Sequence, residues 1–165
     1  MRPDILNPLF AEVRSLKGVG PGLAKPLDRL GLERAKDVAY HFPVNWIYRK
    51  SVARFDVGDV GQNIIARVVV MEHRSSGSSR APQRIYVADA DGNYLTLAFF
   101  GRHGGWAKKQ LPVGEERLIS GKLEQYGDEL QMVHPDHIAA VGGIGGPELA
   151  EPVYPLSEGL TNKRM

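Results

Sequence analysis

The sequence predicts an α+β chain, helical over residues 1–60 and built of short strands over residues 61–141. Three observations carry this reading. Up to Phe42, apolar residues recur at three- and four-residue steps, the period of an amphipathic helix. From Ile64 onward the pattern changes to short runs rich in β-branched and aromatic residues, separated by Gly, Asp and Pro turns. The run GGIGGP at 142–147 then reads as a linker, so 142–165 forms a third, connecting segment.

Leu6, Leu9, Phe10 and Val13 predict a first amphipathic helix. The stretch LKGVGPGLAKPLDRL follows, from Leu16 to Leu30. Gly18, Gly20 and Gly22 permit a tight turn, and Pro21 suits the first position of a helix, where its missing N–H costs nothing. Free N–H groups at such a helix start suit an anion, for example a DNA phosphate. The pattern resembles the helix-hairpin-helix turn of DNA-binding proteins, although an ordinary turn between packed helices fits the same residues. Pro26 is expected to shorten or bend this helix, and Gly31 to cap it. Glu33 to Phe42 predicts another helix, with Ala35, Val38, Ala39 and Phe42 on one side and Pro43 as its stop.

Ile64–Met71 is the first predicted strand. A polar loop follows (RSSGSSRAP, 74–82), then a second strand, Arg84–Ala90. Asp91-Gly92 signals a tight hairpin into a third strand, Tyr94–Phe100. Gly101, Gly104 and Gly105 break the pattern around Trp106, so 101–111 is a non-strand insert. Arg117–Tyr126 and Glu129–Val133 are the fourth and fifth strands. Five short strands, a long first loop and an insert between the third and fourth predict an OB-fold barrel, with another small Greek-key barrel or sandwich as its rival.

Composition narrows the function. The chain has 165 residues, no cysteine and a net charge of +2. Disulfides and thiolate metal sites are excluded. No apolar run approaches the length of a membrane-spanning helix, and the start lacks a secretory pattern, so a cytoplasmic protein with no membrane partner is expected. Charge is uneven: residues 61–111 hold seven cations (Arg67, Arg74, Arg80, Arg84, Arg102, Lys108, Lys109) against three acids (Glu72, Asp89, Asp91). Such a face suits phosphates.

Phe99, Phe100 and Trp106 cluster at the end of the third strand beside Arg102, Lys108 and Lys109. Aromatic faces stack on unpaired bases while cations hold the backbone. Strand alternation forbids Phe99 and Phe100 from both facing the core, so one of them is expected at the surface. The candidate DNA-binding set is therefore Phe100, Trp106, Arg102, Lys108 and Lys109, with Arg74, Arg80 and Arg84 on the preceding loop and strand. His134-Pro135-Asp136-His137 offers two imidazoles and a carboxylate, but Pro135 prevents a helix that would align them, so a strand-end turn is expected and no metal is assigned. Asp89 and Asp91 read as turn residues. No phosphate-cradling G-x-x-x-x-G-K-[ST] occurs, and Ser75, Ser76 and Ser157 have no neighbouring base. No catalytic residue and no cofactor are assigned.

Four segments, in order, resemble RecG, the family of bacterial ATP-dependent helicases that remodel branched DNA. They are LKGVGPGLAKPLDRLGLERAKDVAYHFP, LTLAFFG, GKLEQYGDELQMVHPDH and VYPLSEGLTNKRM. The closing YPLSEGLTNKRM is the most specific, followed by MVHPDH and AYHFP. The resemblance implies the wedge region of such a helicase, with 142–165 leading toward a motor domain outside this chain, and hence a fragment. It implies an OB-fold inserted at a DNA branch point, at forks and Holliday junctions, in fork reversal, recombination and repair. ATP and Mg would be used by the motor alone. Branched DNA, single strands at forks and single-strand-binding protein are the implied partners. Phe100 matches the family's strand-end phenylalanine. The family follows it with a segment beginning in Asn, whereas this chain reads Gly101-Arg102-His103-Gly104-Gly105-Trp106, so the residues leave open whether Trp106 is a second stacking group. A motor-less single-strand-binding OB protein, a RuvA-like junction-binding protein and a protein-binding OB module are the alternatives; in the RuvA class the barrel comes before the hairpins.

Overall fold

Proline placement shortens the helices of the first forty residues. The computed structural model describes residues 3–74, 81–101, 103–143 and 146–161. The predicted first helix is instead a 3-10 segment, Asp4–Phe10, with Pro8 inside it, and a second 3-10 turn, Val13–Ser15. Pro8 supplies no N–H for an α-helical bond. Only Val13 of the expected apolar stripe is buried. Helix α1, Pro21–Arg29, starts at the predicted proline and runs through Pro26. Helix α2, Ala35–Ala39, ends before Phe42, which precedes Pro43 and is steered toward extended backbone.

The chain divides into two compact units, residues 1–47 with 151–165, and residues 48–150. In the first, Val13, Leu27, Leu32 and Leu160 form a buried cluster. Segment 154–160 is tied to the helices of its unit. The Ser157 hydroxyl donates to the Pro26 carbonyl at 2.7 Å, and the His41 ring stacks on Tyr154 at 6.0 Å. Strand β1, Asn45–Tyr48, lies within the stretch expected to be helical.

Strand β2, Lys50–Val52, also replaces predicted helix. The second unit continues with β3 (Asn63–Arg74), β4 (Gln83–Ala88), β5 (Tyr94–Phe99), α3 (His103–Gln110), β6 (Glu116–Lys122), β7 (Glu124–Tyr126), β8 (Glu129–Val133) and β9 (His137–Ala140). Strand β10, Ala150–Val153, pairs with β1 in a separate two-stranded sheet. The main sheet runs β7-β8-β5-β4-β3-β6-β9, with β2 parallel to β3. All five predicted strands are present. The fourth divides into β6 and β7 at buried Leu123, the insert between the third and fourth is α3, and β9 is additional.

Alternation builds the core. Ile64, Ala66, Val68 and Val70 of β3, Ile85 and Val87 of β4, and Leu95, Leu97 and Phe99 of β5 point inward at every second position. Ala107 of α3 and Leu111 after it join them, as do Ile119, Leu123 and Met132. The register of β3 against β4 shifts between Val70 and Glu72, so Met71 is the extra residue of a bulge. The bulge reverses the alternation after it. His73 faces Ile85, and its Nε2 donates to the Leu111 carbonyl at 2.6 Å. Glu72 and Arg74 take the side of Tyr86 and Arg84.

Gly121 of β6 lies where no side chain fits. A Cβ there would stand 2.7 Å from Met132 Sδ and 3.3 Å from the Pro135 Cα. Met132 is fully buried and Pro135 Cα is backbone, so neither moves cheaply. Gly121→Ala is expected to cost about 1–3 kcal/mol through overpacking, read as a lower urea midpoint. An unchanged midpoint would mean that Met132 swings clear.

Candidate nucleic-acid interface

The end of β5 separates the two phenylalanines. Phe99 is 2% exposed and Phe100 is 46% exposed. Phe99 occupies the inward position of the alternation, which leaves Phe100 to the surface. Gly101, at φ +68°, then turns the chain into α3. Buried Ala107 and Leu111 anchor that helix on the core, and its outer side carries Trp106, 52% exposed. Lys109 is exposed and Lys108 half-buried. Gly104 lets α3 approach β4 closely, since a Cβ there would come within 2.9 Å of Gln83 Cβ.

The ring beside Phe100 belongs to His134, at the turn after β8. The two centroids are 5.9 Å apart with the planes tilted by 43°. His134 also meets Phe99 edge-on at 6.1 Å and His103 of α3 edge-on at 5.6 Å. Phe100, His103 and His134 are all exposed, so a patch of ring surface lies at the junction of β5, α3 and the β8–β9 turn.

Arg74 and Arg84 are direct partners across the β3–β4 pair, which places both on one side of the sheet. Arg74 contacts Glu72 at 3.1 Å, and its guanidinium lies 4.9 Å from the Tyr86 ring centre. The Glu72 hydrogen bond, with that carboxylate's charge, raises the Arg74 pKa above its ordinary value. Arg84 is exposed. Arg80 and Arg102, the other two predicted cations, lie outside the described residues. The structure thus brings Arg74 beside Arg84, and Phe100 beside His134, which His103 meets from α3.

In the sequence His134 reads as a strand-end turn residue, with a metal ligand as the alternative, and His103 carries no site reading. Among the described residues, no group of three His, Asp or Glu comes together to hold a metal. The available signal was position: His134 sits one residue past β8, the strand that pairs in parallel with the end of β5.

A family model described as the RecG wedge domain matches residues 12–165. The chain is 32% identical over 157 residues to the ATP-dependent DNA helicase RecG of Acidithiobacillus ferridurans, covering 93% of this chain and 22% of that protein. It is 28% identical over 151 residues to the protein of the same description from Escherichia coli (strain K12), covering 88% of this chain and 21% of that one. The chain therefore spans about a fifth of the length of the curated relatives it matches. In fold it is similar to a solved structure of RecG bound to a three-way DNA junction, with a TM-score of 0.74 at 20% identity over 94% of this chain and 21% of that one.

Proposed function

The chain belongs to the RecG wedge domain family, and from that premise we propose that it is the branch-point wedge of an ATP-dependent DNA helicase, acting on forks and Holliday junctions in fork reversal, recombination and repair. ATP and Mg are the business of a motor domain outside this chain. The partners are branched DNA, the single strands at forks and single-strand-binding protein, in a cytoplasmic setting. Among the described residues no helix is long and apolar enough to cross a membrane.

The wedge is a five-stranded OB barrel in this reading. The strand path supports it: β6 pairs with β3 toward one end, β7 pairs with β8 at the other, and Leu123 alone separates β6 from β7. A single continuous segment thereby touches both ends of a five-strand circuit, with α3 between the third and fourth strands.

One observation carries the function: Phe99 is spent on the core while Phe100 is presented to solvent beside the His134 ring, which His103 meets in turn. A phenyl face backed by another ring takes an unpaired base without reading its identity. Trp106 offers a second face on α3, and Arg74, Arg84, Lys108 and Lys109 hold the separated backbones, with Arg80 and Arg102 in the same role. That combination suits a branch point, where bases unstack and strands part.

The experiment compares binding of one fork, one three-way junction, one blunt duplex and one single strand over a salt series. Fork and junction are expected to bind more tightly than duplex, with affinity falling as salt rises, because phosphate contacts release counterions. Equal affinity for blunt duplex and fork would reject the wedge in favour of a non-specific basic surface. Single strands bound as tightly as forks would favour a simple single-strand-binding module.

A further inference from the structure

Strand β8 leaves the edge of β5 at His134. Ala98 faces Val133 in the parallel ladder, and the His134 N–H donates to the Ala98 carbonyl at 3.0 Å. In a regular parallel ladder the next bond runs from the Phe100 N–H to the His134 carbonyl. Here His134 takes φ +48°, the one positive value among the described non-glycine residues, and the chain turns through Pro135 toward β6. Asp136 N–H already donates to the Ser120 carbonyl at 2.8 Å. The Phe100 N–H donates instead to His134 Nε2, 3.3 Å away. An imidazole nitrogen thus stands where the ladder would have a carbonyl.

The same ring is held on three sides by Phe99, Phe100 and His103. It therefore touches both the last core residue of β5 and the first residue of α3. Left-handed backbone is unfavourable for a residue bearing a Cβ, and here it occurs directly before a proline. That strain turns the chain away while returning the side chain to the strand end it has just left.

We infer that His134 is a positioning residue for the Phe100 stacking surface: its Nε2 replaces the missing ladder acceptor, and its ring forms the shelf against which the phenyl group is presented to an unpaired base. Accepting at Nε2 leaves the neutral ring's proton on Nδ1. The inference rests on the stacking role of Phe100. No contact between His134 and DNA is required, so its loss acts through Phe100.

The test uses the chain of residues 1–165 and a three-way junction carrying 2-aminopurine at the branch, whose fluorescence responds to stacking. Affinity is read by anisotropy and folding by the thermal midpoint. Phe100→Ala is the internal control and is expected to weaken junction binding roughly tenfold. His134→Gly relieves the backbone but removes acceptor and shelf. It is expected to weaken binding several-fold and to shift the 2-aminopurine signal toward that of Phe100→Ala, with the midpoint retained. His134→Gln sets an amide oxygen near the place of Nε2 and is expected to restore most of the affinity. His134→Gly binding as the unsubstituted chain does, while Phe100→Ala is weakened, would overturn the positioning role alone. An unaffected Phe100→Ala would overturn the stacking reading and this inference with it. Should His134→Gly melt low, Gln and Asn decide, because Asn tolerates left-handed backbone but is shorter than the imidazole. Gln near the unsubstituted affinity with Asn weakened supports the role, and both unchanged overturns it.

Discussion

Phe99→Ala is expected to remove about 3–5 kcal/mol of stability, because it empties a fully packed site and leaves a cavity. Phe99 is 2% exposed and belongs to the cluster formed by the inward positions of β3, β4 and β5. Phe100→Ala, one residue on, is expected to leave the thermal midpoint nearly unchanged, since Phe100 is 46% exposed and its truncation empties no core site. Its effect should fall on DNA instead. Stacking is worth about 1–3 kcal/mol per base, so fork affinity should drop roughly tenfold or more. Melting and fork binding measured on both variants separate packing from stacking within one dipeptide. If Phe100→Ala melts far lower, and Trp106→Ala binds forks normally, these aromatics belong to the core and the stacking surface lies elsewhere.

The main strands were legible because their chemistry is local. Ile64 to Val70 and Tyr94 to Phe99 are short runs rich in β-branched and aromatic residues between turn signals, and the two-residue period of any strand also required one of Phe99 and Phe100 to reach solvent. What escaped depends on partners distant in the chain. Met71 is an ordinary apolar residue in the sequence, and the register that makes it a bulge exists only against β4. The bulge decides that Arg74 meets Arg84 and Tyr86, which spacing along one strand cannot foretell. Residues 101–111 read only as a non-strand insert, and the glycines give no helical signal. Ala107 and Leu111, four residues apart and both fully buried, gain enough from the core to offset that weak propensity. Leu160 looked like part of a connecting segment and is buried against Val13, Leu27 and Leu32. The role of His134 arises where a parallel strand departs, and a parallel partner is the hardest to assign from sequence because it is never joined by a short turn.

Asp89 shows how a turn residue in sequence terms becomes a structural anchor. It is 5% exposed. One carboxylate oxygen accepts from the N–H groups of Asp91 and Asn93, both at 2.9 Å. The other accepts from the Asn93 side-chain amide at 2.9 Å and from the Phe55 N–H at 2.7 Å. The Asp91-Gly92 hairpin is therefore a five-residue loop, 89–93, wrapped around one carboxylate, which also tethers buried Phe55. Burial pushes the Asp89 pKa up, but the Asn93 side chain and the N–H groups of Phe55, Asn93 and Asp91 pull it down, and the net direction is below the ordinary carboxylate value. A carboxyl depressed in the folded state stabilises the fold above its unfolded pKa, near 3.9 for an ordinary aspartate, and that contribution is lost as pH falls through the folded value. Asp89→Asn should be costly despite its shape. Its amide keeps one acceptor oxygen and turns an NH2 toward two donors, leaving N–H groups unpaired at about 1–3 kcal/mol each. A loss of about 2–4 kcal/mol at neutral pH is expected in urea denaturation. The gap between Asp89→Asn and the unsubstituted chain should then narrow below about pH 4, because protonation removes from the carboxylate the advantage the amide already lacks. Equal stability at neutral pH, or a gap that stays constant down to the lowest pH at which the chain still folds, would show that the four hydrogen bonds do not hold this loop.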